Sequence, residues 1–154
     1  MADLLVNLLK LPALDHSAEQ DFCVRHAQPW ELTPVRRFVE TNFSRSWADE
    51  MSVGFAHQPV SVFVATIVGE LVGFAAYECT RRGFFGPTGV SSAARGKGIG
   101  KALLLASLSA LREMGYVYAI IGNAGPVHFY QKTVGAIVIP DSEPGIYTDR
   151  LKNL

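Results

Sequence analysis

Residues 92 to 103 read SAARGKGIGKAL, with glycines at 96, 98 and 100 and a basic residue before, between and after them. Upstream lies GFFGPTGV (83–90), a strand candidate broken by Pro87 and glycines. Downstream, Ile99, Leu103, Ala106, Ala110 and Met114 recur at helical spacing, with Leu104, Leu108 and Leu111 beside them. A helix with so wide an apolar face must bury itself broadly on a sheet, so strand, loop and helix in this order commit the chain to an α/β arrangement. The same order predicts an anion site. Unpaired amides at a helix N-terminus and the helix macrodipole both favour negative charge there.

Spacing decides which phosphate loop this is not. The nucleotide-triphosphate loop needs four residues between its glycines and then Lys followed by Ser or Thr. Here three residues separate Gly96 from Gly100, and Ala102 follows Lys101. The dinucleotide fingerprint needs a third glycine three positions after the second, but position 101 is Lys, and residues 116–120 offer no acid for a ribose.

The rest of the chain supplies the partners of that helix. Residues 4–13 form a short apolar segment closed by Pro12, read as an extra strand or a partner-facing arm. DFCVRHA (21–27) alternates as a strand does. QPWELTPVRRFVETNF (28–43) has helical spacing, and a second helix follows, capped by Ser46, with Trp47, Met51 and Phe55 on one face. VSVFVATIV and ELVGFAAYECT form a hairpin joined at Gly69 and Glu70. GFFGPTGV should carry a bulge, since proline and glycine interrupt a regular ladder. After the long helix come a buried strand (YVYAII), a helix begun by Pro126 and stopped by Gly135, a strand at AIVIP, and a last strand at GIYTDRL.

Charge and composition narrow the function classes. Lys plus Arg equals Asp plus Glu at 14 each, so the molecule as a whole has no field to draw nucleic acid or an anionic membrane, and any anion site is local. The apolar content of 49% in 154 residues suits one domain with a single core. The apolar start is interrupted by Asp3 and Lys10 and lacks a basic leader, and no stretch reaches the roughly 18 apolar residues of a membrane span. A cytoplasmic protein is expected, with no nucleic-acid or membrane partner. Cys23 and Cys79 read as inert core residues, and no metal pattern occurs.

What fits is Arg95, two residues, Gly98, one residue, Gly100, which resembles the pyrophosphate loop of the GCN5-related N-acetyltransferases. The resemblance extends past the helix, because Asn123 stands seven residues ahead of Tyr130 on a short helix, followed by Gly135 and an apolar strand. It runs from about residue 20 to the end and suggests a bacterial single-domain subfamily. It implies one N-acetyltransferase domain over 1–154 with residues 1–15 as an added arm or strand. The implied fold is a mixed, mostly antiparallel α/β (α+β) sheet of six to seven strands, splayed into a V at its fourth and fifth strands and flanked by about four helices.

The resemblance also implies roles. Backbone groups of Thr88 and Val90 would bond the pantetheine amides of acetyl-CoA. Arg95, Gly96, Lys97, Gly98, Ile99, Gly100 and Lys101 would wrap its pyrophosphate, with Asn123 completing the cofactor side. Tyr130 would hydrogen-bond the thioester sulfur. The proton of the attacking amine needs an acceptor, for which Glu78 is the first candidate and Glu50 the second; His128 is read as a surface or cofactor-edge residue. Trp47, Glu50, Phe84 and Tyr147 would line the pocket for a small-molecule or peptide amine. The competing reading is a non-catalytic acyl-CoA sensor or interaction module on the same fold. No metal is called for. A homodimer is expected, because an exposed apolar arm at residues 4–13 and the final strands would need covering.

Overall fold

The computed structural model describes residues 1–14 and 21–154; residue 15 of the expected arm lies outside the described residues. Seven strands form one sheet: β1 (Leu4–Asn7), β2 (Cys23–His26), β3 (Val62–Ile67), β4 (Glu70–Tyr77), β5 (Phe84–Val90), β6 (Tyr118–Ile121) and β7 (Ile137–Val138). The helices are α1 (Leu32–Asn42), α2 (Arg45–Ser52), α3 (Ile99–Glu113) and α4 (Val127–Val134). The strand order is β2-β3-β4-β5-β6-β1-β7, antiparallel throughout except for the β5–β6 pair.

The sheet is buried on both faces. One core joins Leu103, Leu104, Leu108 and Leu111 of α3 to Leu4, Val6, Phe85 and Ile121 of the sheet; the other sets Val35, Val39 and Met51 of α1 and α2 against Val62, Val64 and Phe74. Successive strand residues therefore serve opposite cores, as the period of two requires.

Several expectations are corrected in detail. Of the two readings of the N-terminal segment, the strand is the one that forms, not the arm: β1 lies inside the sheet, between β6 and β7, with Leu4, Val6 and Leu8 fully buried. Apolar side chains stay exposed beside it, at Leu9 on this segment and at Ile137 and Val138 of β7. GIYTDRL is not a strand. The ladder position beside β6 is filled by β1, and residues Gly145–Tyr147 make a 3-10 turn. Ser44, not Ser46, caps α2: its extended backbone lets the hydroxyl accept from the Trp47 N–H at 3.1 Å, whereas Ser46 sits within the first turn. The hairpin turns one residue early, at Val68 and Gly69, both with positive φ, as a two-residue primed turn requires. Cys23 is exposed on the edge strand β2; Cys79 is buried.

The feature that shapes the site is in β5. Between the pairs Tyr77↔Phe85 and Ala75↔Thr88, β4 advances two residues while β5 advances three, so β5 carries one extra residue around Gly86–Pro87. Against β6 it pairs only at Phe84↔Ile120 and Phe85↔Ile121. Beyond the bulge the two parallel strands part, and the sheet opens into a V.

Candidate acyl-transfer site

Two clefts meet along β5. Thr88, Gly89 and Val90 line one, of about 440 Å³; Phe84, Phe85, Gly86 and Pro87 line the other, of about 450 Å³. The bulge is thus the boundary between them.

The first cleft is floored by the glycine loop. Gly96 and Gly98 both have positive φ (83° and 81°), which glycine adopts without a Cβ penalty. Gly98 is the N-cap of α3 and, lacking a side chain, leaves the first-turn amides uncapped. A Cβ on Gly96 or Gly98 would meet nothing within 4 Å, and one on Gly100 would meet only Val90 Cγ2, at 3.9 Å. The space in front of these amides is therefore open. Arg95 and Lys101 are exposed around it, with Arg95 Nε donating to the Val90 carbonyl at 3.3 Å, whereas Lys97 is exposed on the loop without lining the cleft. Ile99 contributes only backbone, because its side chain is 2% exposed and belongs to the core. The Thr88 hydroxyl turns back to the Phe74 carbonyl at 3.1 Å.

Two aromatic walls of this cleft were not anticipated. Phe43, at the end of α1, lies so close over Gly89 that a Cβ there would collide with its ring. Phe129 of α4 closes the opposite side. Both are apolar residues at helical positions, indistinguishable in sequence from core residues.

The second cleft gathers all four residues expected of the acceptor pocket, Trp47, Glu50, Phe84 and Tyr147, and adds Asn123, Thr80 and Arg150. Asn123 was expected on the cofactor side; its side of the loop after β6 faces this pocket instead. The Tyr147 hydroxyl reaches over Gly122, where a Cβ would stand 3.1 Å from it, and the Arg150 guanidinium lies 5.4 Å from the Tyr147 ring centre. Burial raises the Tyr147 phenol, and the negative charges of Glu50 and Asp3 add to that. Burial likewise raises the Glu50 carboxyl above the ordinary range, opposed in part by the Thr80 hydroxyl, which donates to Glu50 Oε1 at 3.1 Å.

Glu78 is elsewhere. It lines a separate cleft with His26, His57 and Glu113, and its carboxylate accepts from the Gly83 N–H. Its backbone has φ 62° just past the end of β4, which turns the side chain away from Glu50 and Tyr147. His128 is exposed on α4 and lines neither cleft of the site. Cys79 is no nucleophile at neutral pH: burial pushes its thiol up to about 11.

Tyr130 of α4 lines neither cleft, but it packs against one wall of each. Its ring packs edge-on against Phe85, which lines the second cleft, at 6.4 Å, and against Phe129, which lines the first, at 5.2 Å. The side chain is 6% exposed, and burial alone pushes its phenol up to about 12. The hydroxyl therefore stays protonated and is available as a donor.

The profile of the acetyltransferase (GNAT) family matches residues 17–136. The chain belongs to that family. Among solved structures it is similar to the glucosamine N-acetyltransferase region of a fungal multi-domain beta-N-acetylglucosaminidase, at 16% identity and a TM-score of 0.74 over 90% of this chain and 19% of that one. It is similar also to a GCN5-related N-acetyltransferase from Sphaerobacter thermophilus, at 19% identity and TM-score 0.70, over 90% of this chain and 48% of that one. A GNAT family acetyltransferase from Brucella melitensis, solved in complex with acetyl-CoA, matches at 20% identity and TM-score 0.59, over 74% of this chain and 82% of that one. The chain thus spans about a fifth and about half of the first two relatives. No curated protein sequence matches it significantly. Among the described residues, no helix is long and apolar enough to cross a membrane.

Proposed function

We propose that this chain transfers an acetyl group from acetyl-CoA to a primary amine of a small molecule or peptide, by direct attack of the amine on the thioester. The observation that supports this reading most is the shared strand: β5 lines both clefts, and Tyr130 packs against Phe85 of one and Phe129 of the other.

In this reading the uncapped amides at Gly98–Lys101 receive the pyrophosphate, with Arg95, Lys97 and Lys101 around it. The free backbone edge of β5 beyond the bulge receives the pantetheine. The acceptor amine enters between Trp47, Phe84 and Tyr147. An ordinary amine of pKa near 10.4 is about 1 part in 2,500 neutral at pH 7, a deficit of about 4.6 kcal/mol, so a base must take its proton. Glu50 takes that role in place of Glu78, because its raised carboxyl pKa makes it the stronger base and it faces the same cleft.

The nitrogen lone pair then attacks the carbonyl carbon, the C–S bond breaks, and its electron pair leaves on sulfur. Full proton transfer from a phenol near 12 to a thiolate near 8.5 is uphill by about 5 kcal/mol. Tyr130 therefore acts as a hydrogen-bond donor to the developing thiolate rather than as a full acid.

The test is a panel of amines, including amino acids, amino sugars, polyamines and peptides, assayed with acetyl-CoA by thiol release. Turnover with at least one amine is expected. Acetyl-CoA binding by calorimetry with no turnover on any of them would count against transfer.

A further inference from the structure

Asp3 as a residue is 9% exposed, and no ion pair among the described residues includes it. Burying an ionisable group without a counter-charge is costly unless hydrogen bonds replace its water. Oδ1 accepts the N–H of Asn123 at 2.8 Å, and Oδ2 stands 3.4 Å from where a Cβ on Gly145 would lie. The Asp3 backbone extends the same clasp: its N–H donates to Ser142 Oγ at 2.9 Å and its carbonyl accepts from the Ile139 N–H at 2.9 Å. Next to it, the Ala2 carbonyl accepts from the Ala124 N–H at 3.1 Å.

These bonds tie together two segments far apart in sequence. One is the loop after β6, where Asn123 holds a left-handed backbone (φ 47°), a region that Asn takes more readily than other non-glycine residues. The other leads into the Gly145–Tyr147 turn. Asn123 and Tyr147 face the same cleft.

We propose that Asp3 is a positioning residue for the acceptor pocket: from just before the interior strand β1 its carboxylate fixes Asn123, while its backbone holds the segment that leads to the turn carrying Tyr147, and so it sets the shape that receives the amine. This rests on the reading of that cleft as the acceptor pocket. Asp3 touches neither substrate. Its removal therefore changes how the acceptor fits while leaving the glycine-loop cleft as it is.

The test compares Asp3→Ala and Asp3→Asn in the full chain. Asp3→Ala should raise the acceptor KM by about 10-fold or more, the scale of one lost hydrogen bond to a charged acceptor, with acetyl-CoA affinity unchanged. Asp3→Asn should recover most of that loss, since an amide oxygen accepts the same N–H. Hydrogen exchange at the Asn123 amide reads the contact without catalysis: faster in Asp3→Ala, protected in Asp3→Asn. If wild-type protein acetylates no amine, transfer fails as a function while the exchange result still decides whether Asp3 holds the loop. Should Asp3→Ala not fold, Asp3→Ser replaces it, its hydroxyl being too short to reach Asn123. Equal exchange in all variants, or acceptor KM and acetyl-CoA affinity worsening together in Ala and Asn alike, overturns the proposal.

Discussion

Thr80 Oγ1 donates to Oε1 of Glu50 at 3.1 Å, across the mouth of a cleft whose walls desolvate that carboxylate. The hydrogen bond stabilises the charged form and burial disfavours it; burial is the larger effect, so the carboxyl titrates above its ordinary range. If Glu50 is the base, the rate limb on the acid side should report this elevated value. Glu50→Gln is expected to lower kcat by about 10²- to 10⁴-fold. Thr80→Val removes the opposing hydrogen bond and should move the limb to higher pH. A kcat for Glu50→Gln within threefold of wild type would return the search for the base to other groups.

The same carboxyl gives a stability prediction with a definite sign. Its folded pKa is raised, so the folded state holds the proton more tightly than the unfolded chain. Stability therefore falls as pH rises from the ordinary carboxylate range through the raised value, and the penalty stays constant above it. Glu50→Gln should raise Tm at neutral pH and leave it closer to wild type at pH 4. A Tm difference independent of pH would contradict the burial argument.

Tyr130→Phe separates an enzyme from a sensor on the same fold. Because a hydroxyl that meets charge only as the C–S bond breaks contributes to the transition state, kcat should fall by about 10- to 1,000-fold with acetyl-CoA affinity nearly unchanged. Single-turnover measurements with a reactive amine are needed, so that product release does not mask the step. A full single-turnover rate would make Tyr130 a packing residue between Phe85 and Phe129. Lost affinity with an unchanged rate would favour the sensor.

At the glycine loop, Gly100→Val is the cleaner probe. Gly98 has positive φ, so any side chain there adds backbone strain, whereas Gly100 lies in the first turn of α3 with open space before it. We expect Gly100→Val to weaken CoA binding by about 10-fold or more through steric exclusion, with only a small drop in Tm from the β-branched residue. Calorimetry on the folded variant checks this; wild-type affinity would detach the pyrophosphate from the loop.

Glu78→Gln provides the contrast. With its carboxylate engaged by Gly83 and facing the cleft of His26 and His57, Glu78 should be dispensable for transfer, and kcat/KM should stay within a few-fold of wild type. A hundredfold loss in a stably folded variant would restore it as the base.

Local chemistry was legible in the sequence wherever it depends on neighbours along the chain. The glycine loop, the wide apolar stripe of α3, the hairpin before it and the bulge at Gly86–Pro87 follow from residue periodicity, from glycine's tolerance of positive φ and from proline's missing N–H. Trp47, Glu50, Phe84 and Tyr147, which line one cleft, were named together through the family resemblance carried by the spacing of Arg95, Gly98, Gly100, Asn123 and Tyr130. What only the tertiary structure decided is which of these residues meet. Alternation marked residues 4–7 as a strand but carries no address for its partner, and β1 took an interior position while the C-terminal segment formed a turn. Glu50 and Glu78 are both acids beside apolar runs. Their positions parted because a helix face turned one into the cleft while a left-handed residue at the end of β4 turned the other out of it. Asp3 was legible only as an acid interrupting an apolar start. Its contact with Asn123 exists because the sheet order brings residues 120 positions apart to one ladder, a relation that no local pattern encodes.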